Sequence, residues 1–180
     1  RAFAPEVAAL TEATRIALAA AGAAGVITMA EFDDVLARLD LTRTDLAPAV
    51  EAGLLHDRLP ATTAFRHPLV RQEAWEQVGP FVRRRIHQAV GDVARDPDRA
   101  TWHRAFAAEG PDADVADALE AAGHRATVRG APAVASRAYA TAAALSPDPD
   151  TGTRRSLVAA EAALRAGQPD EARRLVAGLR

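Results

Sequence analysis

Five histidines, His56, His67, His87, His103 and His124, are the side chains of this 180-residue sequence best suited to proton or ligand chemistry near neutral pH. His67 has a distinctive setting in "FRHPLVRQEAW" (65–75): it ends a short β-like run and directly precedes the proline that opens a helical pattern. An imidazole there can donate to a phosphate oxygen, helped by the positive end of the helix macrodipole. It can equally cap the run by bonding a backbone carbonyl. The other four histidines show neither HxxxH nor HExxH spacing, so the pattern offers no zinc site. Ser136, Ser146 and Ser156 lie in no GxSxG elbow, and Asp33 and Asp34 are helix neighbours that point to different sides. The chain has no cysteine, hence neither a disulfide nor a thiolate nucleophile. All 22 basic residues are arginine, which removes the Walker A lysine and any Schiff-base lysine. These exclusions predict a chain that is not an enzyme and that holds no metal or cofactor of its own.

Composition points to helices. Alanine fills 46 positions and aromatics only 4%, so small side chains must let helices approach closely. The net charge of −2 gives no general attraction for nucleic acid or anionic membranes. The most apolar run, Ile16 to Ile27, is too short to span a bilayer and follows Glu6, Glu12 and Arg15 rather than a basic leader. A cytoplasmic location is expected. Because the chain opens on Arg1 and carries its one methionine at position 29, it reads as a piece of something longer.

The first third reads as three helices and a hairpin. A helix is predicted over 5–21, with Val7, Leu10, Ile16 and Leu18 on one side and Gly22 and Gly25 as stops. In "TMAEFDDVLARL", Thr28 and Glu31 have the spacing of a capping box, and Phe32, Val35, Leu36 and Leu39 form an apolar stripe. A third helix follows in "TRTDLAPAVEAGLL", with Thr42 or Thr44 as cap and Pro48 in its first turn. Leu54–His56 and Thr63–Phe65 then flank a polar turn with Asp57, Arg58 and Pro60, the pattern of a small hairpin. Three helices and a two-stranded wing make a winged helix-turn-helix over 4–78.

Beyond Pro68 only helices are legible, at about 68–78, 80–95, 98–109, 112–129, 131–145, 152–166 and 169–179. The stretch 79–110 is expected to be a connecting helical hairpin. From 111 to 180 a repeat is present. With Gly130 as the glycine ending a first helix, a tetratricopeptide-like unit needs small residues at Gly123, Ala135 and Ala142, an aromatic at Tyr139 and a proline at Pro147. All are met, with Leu119 as the first large apolar residue. A shift of 37 residues carries Gly130 to Gly167, Pro132 to Pro169 and Ala135 to Ala172, with Ala159 and Ala160 on the preceding helix. The fold class expected is mainly all-α: a winged helix-turn-helix with a small β-hairpin, then an α-solenoid of tetratricopeptide-like hairpins, the second one truncated.

"FRHPLVRQEAW", "RRRIHQAVGDV", "ATWHRAFAAEGPDADVADALEAAG" and "GAPAVASRAYATAAALSPDP" resemble the central region of large ATP-binding LuxR-type transcriptional regulators, actinobacterial signal-transduction ATPases of the STAND class. The resemblance covers essentially the whole chain. It implies a longer protein in which a P-loop ATPase precedes this region and a DNA-binding helix-turn-helix follows it. It further implies that His67, with Pro68 and Leu69 completing the motif, reaches the phosphates of ADP bound to that ATPase. ATP or ADP is thus a cofactor of the full-length protein alone. The partners implied are the chain's own ATPase and DNA-binding domains, and a protein or small-molecule inducer on the concave side of the repeats.

Two other readings compete. The chain could be a free-standing interaction adaptor without a nucleotide link, or its winged helix could bind DNA. Residues 1–68 carry six arginines against nine acids, and the candidate recognition helix sets Arg43 against Asp45 and Glu51, so phosphate binding lacks its charge. Neither nucleic-acid nor membrane binding by this chain is expected. The one basic cluster, Arg83–Arg85 with Arg71 and His87 nearby, fans around its helix and reads as a solvated face. Trp75 and Trp102 read as fillers between alanine-rich helices.

Overall fold

The computed structural model describes residues 3–56 and 65–179. The chain is mainly α-helical, with eleven α-helices and one 3-10 turn among these residues. They form two compact units, Arg1–His103 and Arg104–Arg180, and the division falls inside a helix.

In the first unit the helix expected over 5–21 is broken in two. α1 is Ala4–Ala8 and α2 is Glu12–Ala24. Thr11 makes the break by accepting from the Thr14 N–H at 3.2 Å, and Arg15 donates to the carbonyls of Ala8 and Leu10. Gly25, at φ +58, ends α2, whereas Gly22 lies within it. α3, Met29–Arg38, begins with the expected capping box: Thr28 N–H donates to Glu31 Oε2 at 2.8 Å and Glu31 N–H to Thr28 Oγ1 at 3.2 Å. The third helical stretch starts as a 3-10 turn, Arg43–Leu46, where Thr42 N–H donates to Asp45. It continues as α4, Ala47–Glu51.

Where the hairpin is expected, the described residues form no strand, only an isolated bridge. Leu55 and Phe65 form an antiparallel bridge, and Arg66 N–H donates to the Leu54 carbonyl at 3.1 Å. Its turn, including Asp57, Arg58 and Pro60, lies outside the described residues. α5 (Pro68–Glu76), α6 (Pro80–Val93) and α7 (Pro97–Ala107) follow. Leu18, Val35, Leu36, Leu46, Leu55, Val70, Ile86 and Val90 share one core, so α6, placed by sequence in a connecting hairpin, packs into the first unit.

The second unit is four helices: α8 (Ala113–Val128), α9 (Pro132–Leu145), α10 (Pro149–Arg165) and α11 (Pro169–Ala177). Its interior is almost wholly alanine around Leu119 and Tyr139. The two hairpin turns are the same structure 37 residues apart. Gly130 has φ +71 and Gly167 has φ +72. Ala131 N–H bonds the Ala126 carbonyl and Gly130 N–H that of Thr127; Gln168 and Gly167 repeat both bonds to Ala163 and Leu164. Only a left-handed residue closes this turn, which is why glycine stands at both places.

Candidate functional site

His67 is the N-cap of α5. Its backbone is extended (φ −146, ψ 139), as required of a residue leaving the bridge, and Pro68 then supplies the fixed φ of a first helical turn. Its Nδ1 accepts from the Leu69 N–H at 3.1 Å. The expectation of a bond to a backbone carbonyl is therefore reversed: the ring accepts, and the neutral imidazole carries its proton on Nε2. The side chain is exposed, with the Phe3 ring tilted at 40° and 5.4 Å from it. The helix start itself has little left to offer an anion. Pro68 has no N–H, Leu69 N–H goes to the imidazole, and Val70 N–H bonds the His67 carbonyl at 3.0 Å. A phosphate at this point would meet the Nε2–H of His67 rather than free backbone donors.

The ground beneath this site is firm. Arg71, one turn along α5, rests its stem on α2 at Gly22, where an added Cβ would lie 3.1 Å from Arg71 Cγ and 3.7 Å from the tip of Phe65. Arg66 and Arg71, neighbours of His67 in sequence, are both exposed. Arg66 also ties back to the Leu55 carbonyl at 3.3 Å.

The arginine cluster disperses as expected. Arg83 donates to the carbonyls of Trp75 and Glu76 at the end of α5, Arg84 lies over the Phe81 ring, and Arg85 reaches Asp40 at 3.4 Å. On the candidate DNA-reading segment, Arg43 is paired with Asp33 at 2.7 Å.

Sequence spacing gave no relation between His87 and His103, yet the structure joins them. Their Nδ1 atoms are 2.9 Å apart, and the edge of Trp75 meets His87 at 5.1 Å. The signal that could have found them is their separation of 16 residues across two successive helices, which suits facing positions on a helical pair. Burial lowers the proton affinity of His87. Burial, then the neighbouring His87 and Arg99, push the pKa of His103 down to about 4. Two nitrogens are too few to hold a metal, and no group of three metal-binding side chains gathers among the described residues.

In the second unit Arg155 is buried and donates to Glu120 at 2.7 Å, to Ser146 at 2.8 Å and to Asp117. Arg154 clasps the same Glu120 at 2.6 Å. Hydrogen bonds from Arg154 first, and from Arg155, hold the Glu120 carboxyl down to about 2. This network ties α10 to α8 and is structural. A groove of about 960 Å³ opens between α9 and α11, with Ala140 and Ala144 among its lining and Arg137, Glu171 and Arg174 among its polar residues.

Comparison with protein-family models, with curated proteins and with solved structures finds no match to this chain.

Proposed function

We propose that this chain is the non-catalytic regulatory region of an ATP-dependent LuxR-type transcriptional regulator, coupling the nucleotide state of an adjoining ATPase to a helical sensor scaffold. In this reading residues 4–78 are the winged helix, and 111–180 are tetratricopeptide-like repeats that receive a protein or small-molecule inducer. The observation that carries it is His67: an exposed imidazole, locked by the Leu69 N–H so that its Nε2–H is the free donor. That is the chemistry a phosphate oxygen requires. The Leu55–Phe65 bridge agrees with the wing, and the duplicated glycine turns agree with the repeats.

The test is nucleotide release from the intact regulator. Asn at position 67 keeps a helix cap but cannot reach as an imidazole does. His67→Asn should speed release of bound ADP by about tenfold, the worth of one charge-assisted hydrogen bond. Equal release from variant and parent defeats the proposal.

A second reading, a free-standing interaction adaptor, is favoured by the groove between α9 and α11. Mixing this chain with its ATPase region and ADP separates the two, since an adaptor binds without regard to nucleotide. The third reading, DNA binding, predicts a mobility shift at low salt, which the Arg43–Asp33 pairing opposes.

A further inference from the structure

His87 on α6 and His103 on α7 form a cluster that the proposed function leaves unused. Their rings stand 5.0 Å apart at 53°, with Nδ1 facing Nδ1 at 2.9 Å. A contact that short between two ring nitrogens holds one proton: one ring must be the Nδ1–H tautomer and the other the Nε2–H tautomer. A first added proton enters at the outer nitrogen of the donor ring and leaves the bridge in place. A second makes both rings cationic and sets two N–H groups head to head.

The surroundings disfavour those protons. His103 is buried and His87 half-buried. From α7, Arg99 stands one turn before His103 and donates to the Val26 carbonyl at 2.8 Å. From α6, Arg83 stands one turn before His87 and lies over Trp75. α5 presents the Trp75 ring itself, while its buried Glu73 carboxylate takes the side chain of Gln77 at 3.1 Å.

We propose that the His87–His103 pair is an acid-released latch that holds α7 onto α6. Closed, the latch keeps both rings from protons; opened, it returns them to water, where an imidazole takes one up near pH 6.5. By linkage the open form therefore gains below that pH, by about tenfold per pH unit for each histidine that water reaches. The effect starts close to neutrality because burial lowers the proton affinity of both closed rings.

Hydrogen exchange on the whole chain, corrected for intrinsic rates, reads this directly. The opening constant of amides 98–103 should rise from pH 6.5 to 4 with a log–log slope of about one to two. His103→Gln can still bond His87 but cannot titrate, and it should reduce the slope by about one. An unchanged slope in the variant overturns the latch. Should the variant fail to fold, nitrogen NMR of the parent decides instead: one Nδ1–H and one Nε2–H tautomer support the pair, and two Nε2–H tautomers abolish it.

Discussion

The ring of Tyr139 lies against the bare backbone of Gly123: a Cβ placed there would come within 3.0 Å of one ring atom and 3.1 Å of two more. α8 and α9 touch through an aromatic face and an absent side chain. The approach is so close that the alanine preference of a helix is outweighed there.

Gly123→Ala therefore sets two effects in opposition. Alanine gains helix propensity, about 1 kcal/mol, but forces a buried ring to move, which costs about 1–3 kcal/mol. A net loss of about 1 kcal/mol is expected in thermal or urea unfolding. A more stable variant would mean that the ring yields freely. Gly167→Ala acts differently: nothing lies near its Cβ, and the loss of about 1 kcal/mol comes from the positive φ alone.

Arg155 is costly to remove from the second unit. Its guanidinium is buried, and Arg155→Ala leaves Glu120 and Ser146 short of a donor. Asp117 is well exposed, so part of the network is shared with water. We expect about 2–3 kcal/mol of destabilisation, below the range for a fully buried pair. Arg154→Ala, on the exposed side, should cost under about 1 kcal/mol. Similar losses for both would show that the buried position is not what matters.

Acid should weaken the protein in two successive windows. His103 has a folded pKa of about 4 against 6.5 for a free imidazole, so the unfolded chain binds the proton first. Stability then falls as pH drops from 6.5 to about 4, by at most about 3 kcal/mol, and no further below. Glu120 is held down to about 2 from an ordinary 4.5. Its contribution is intact above pH 4.5 and lost as pH falls toward 2. Urea midpoints at pH 7.5, 6, 5 and 4 measure the first loss; Glu120→Gln should leave it unchanged. A flat profile between pH 7.5 and 5 contradicts the burial of His103.

His67 has a structural purpose apart from the phosphate contact proposed above. As N-cap it satisfies the Leu69 N–H, so His67→Ala should cost about 1 kcal/mol in chemical unfolding. His67→Asn restores most of that loss. If alanine and asparagine prove equally unstable, the bond from Leu69 contributes nothing.

Helix positions after Pro68 were legible because proline, glycine or aspartate marks each boundary: Asp112 and Asp148 cap α8 and α10 by accepting from Val115 and Thr151. The recurrence of the hairpin turn was legible for the same reason, since a left-handed turn demands glycine. The break between α1 and α2 was hidden because Thr11 caps only when its chain neighbours turn, and threonine is common inside helices. The direction of the His67 bond could not be read, since imidazole both donates and accepts. His87 and His103 escaped for a deeper reason: pattern reading finds ligands along one helix, and their encounter depends on how two helices face one another.

The turns at Gly130 and Gly167 close with the same pair of backbone bonds, so the two bends are equivalent joints 37 residues apart, although Arg154 and Arg155 also tie the stretch between them to α8. Copying or excising 37 residues in register would leave every remaining bend intact, so this architecture can change its reach without having to reinvent its joints.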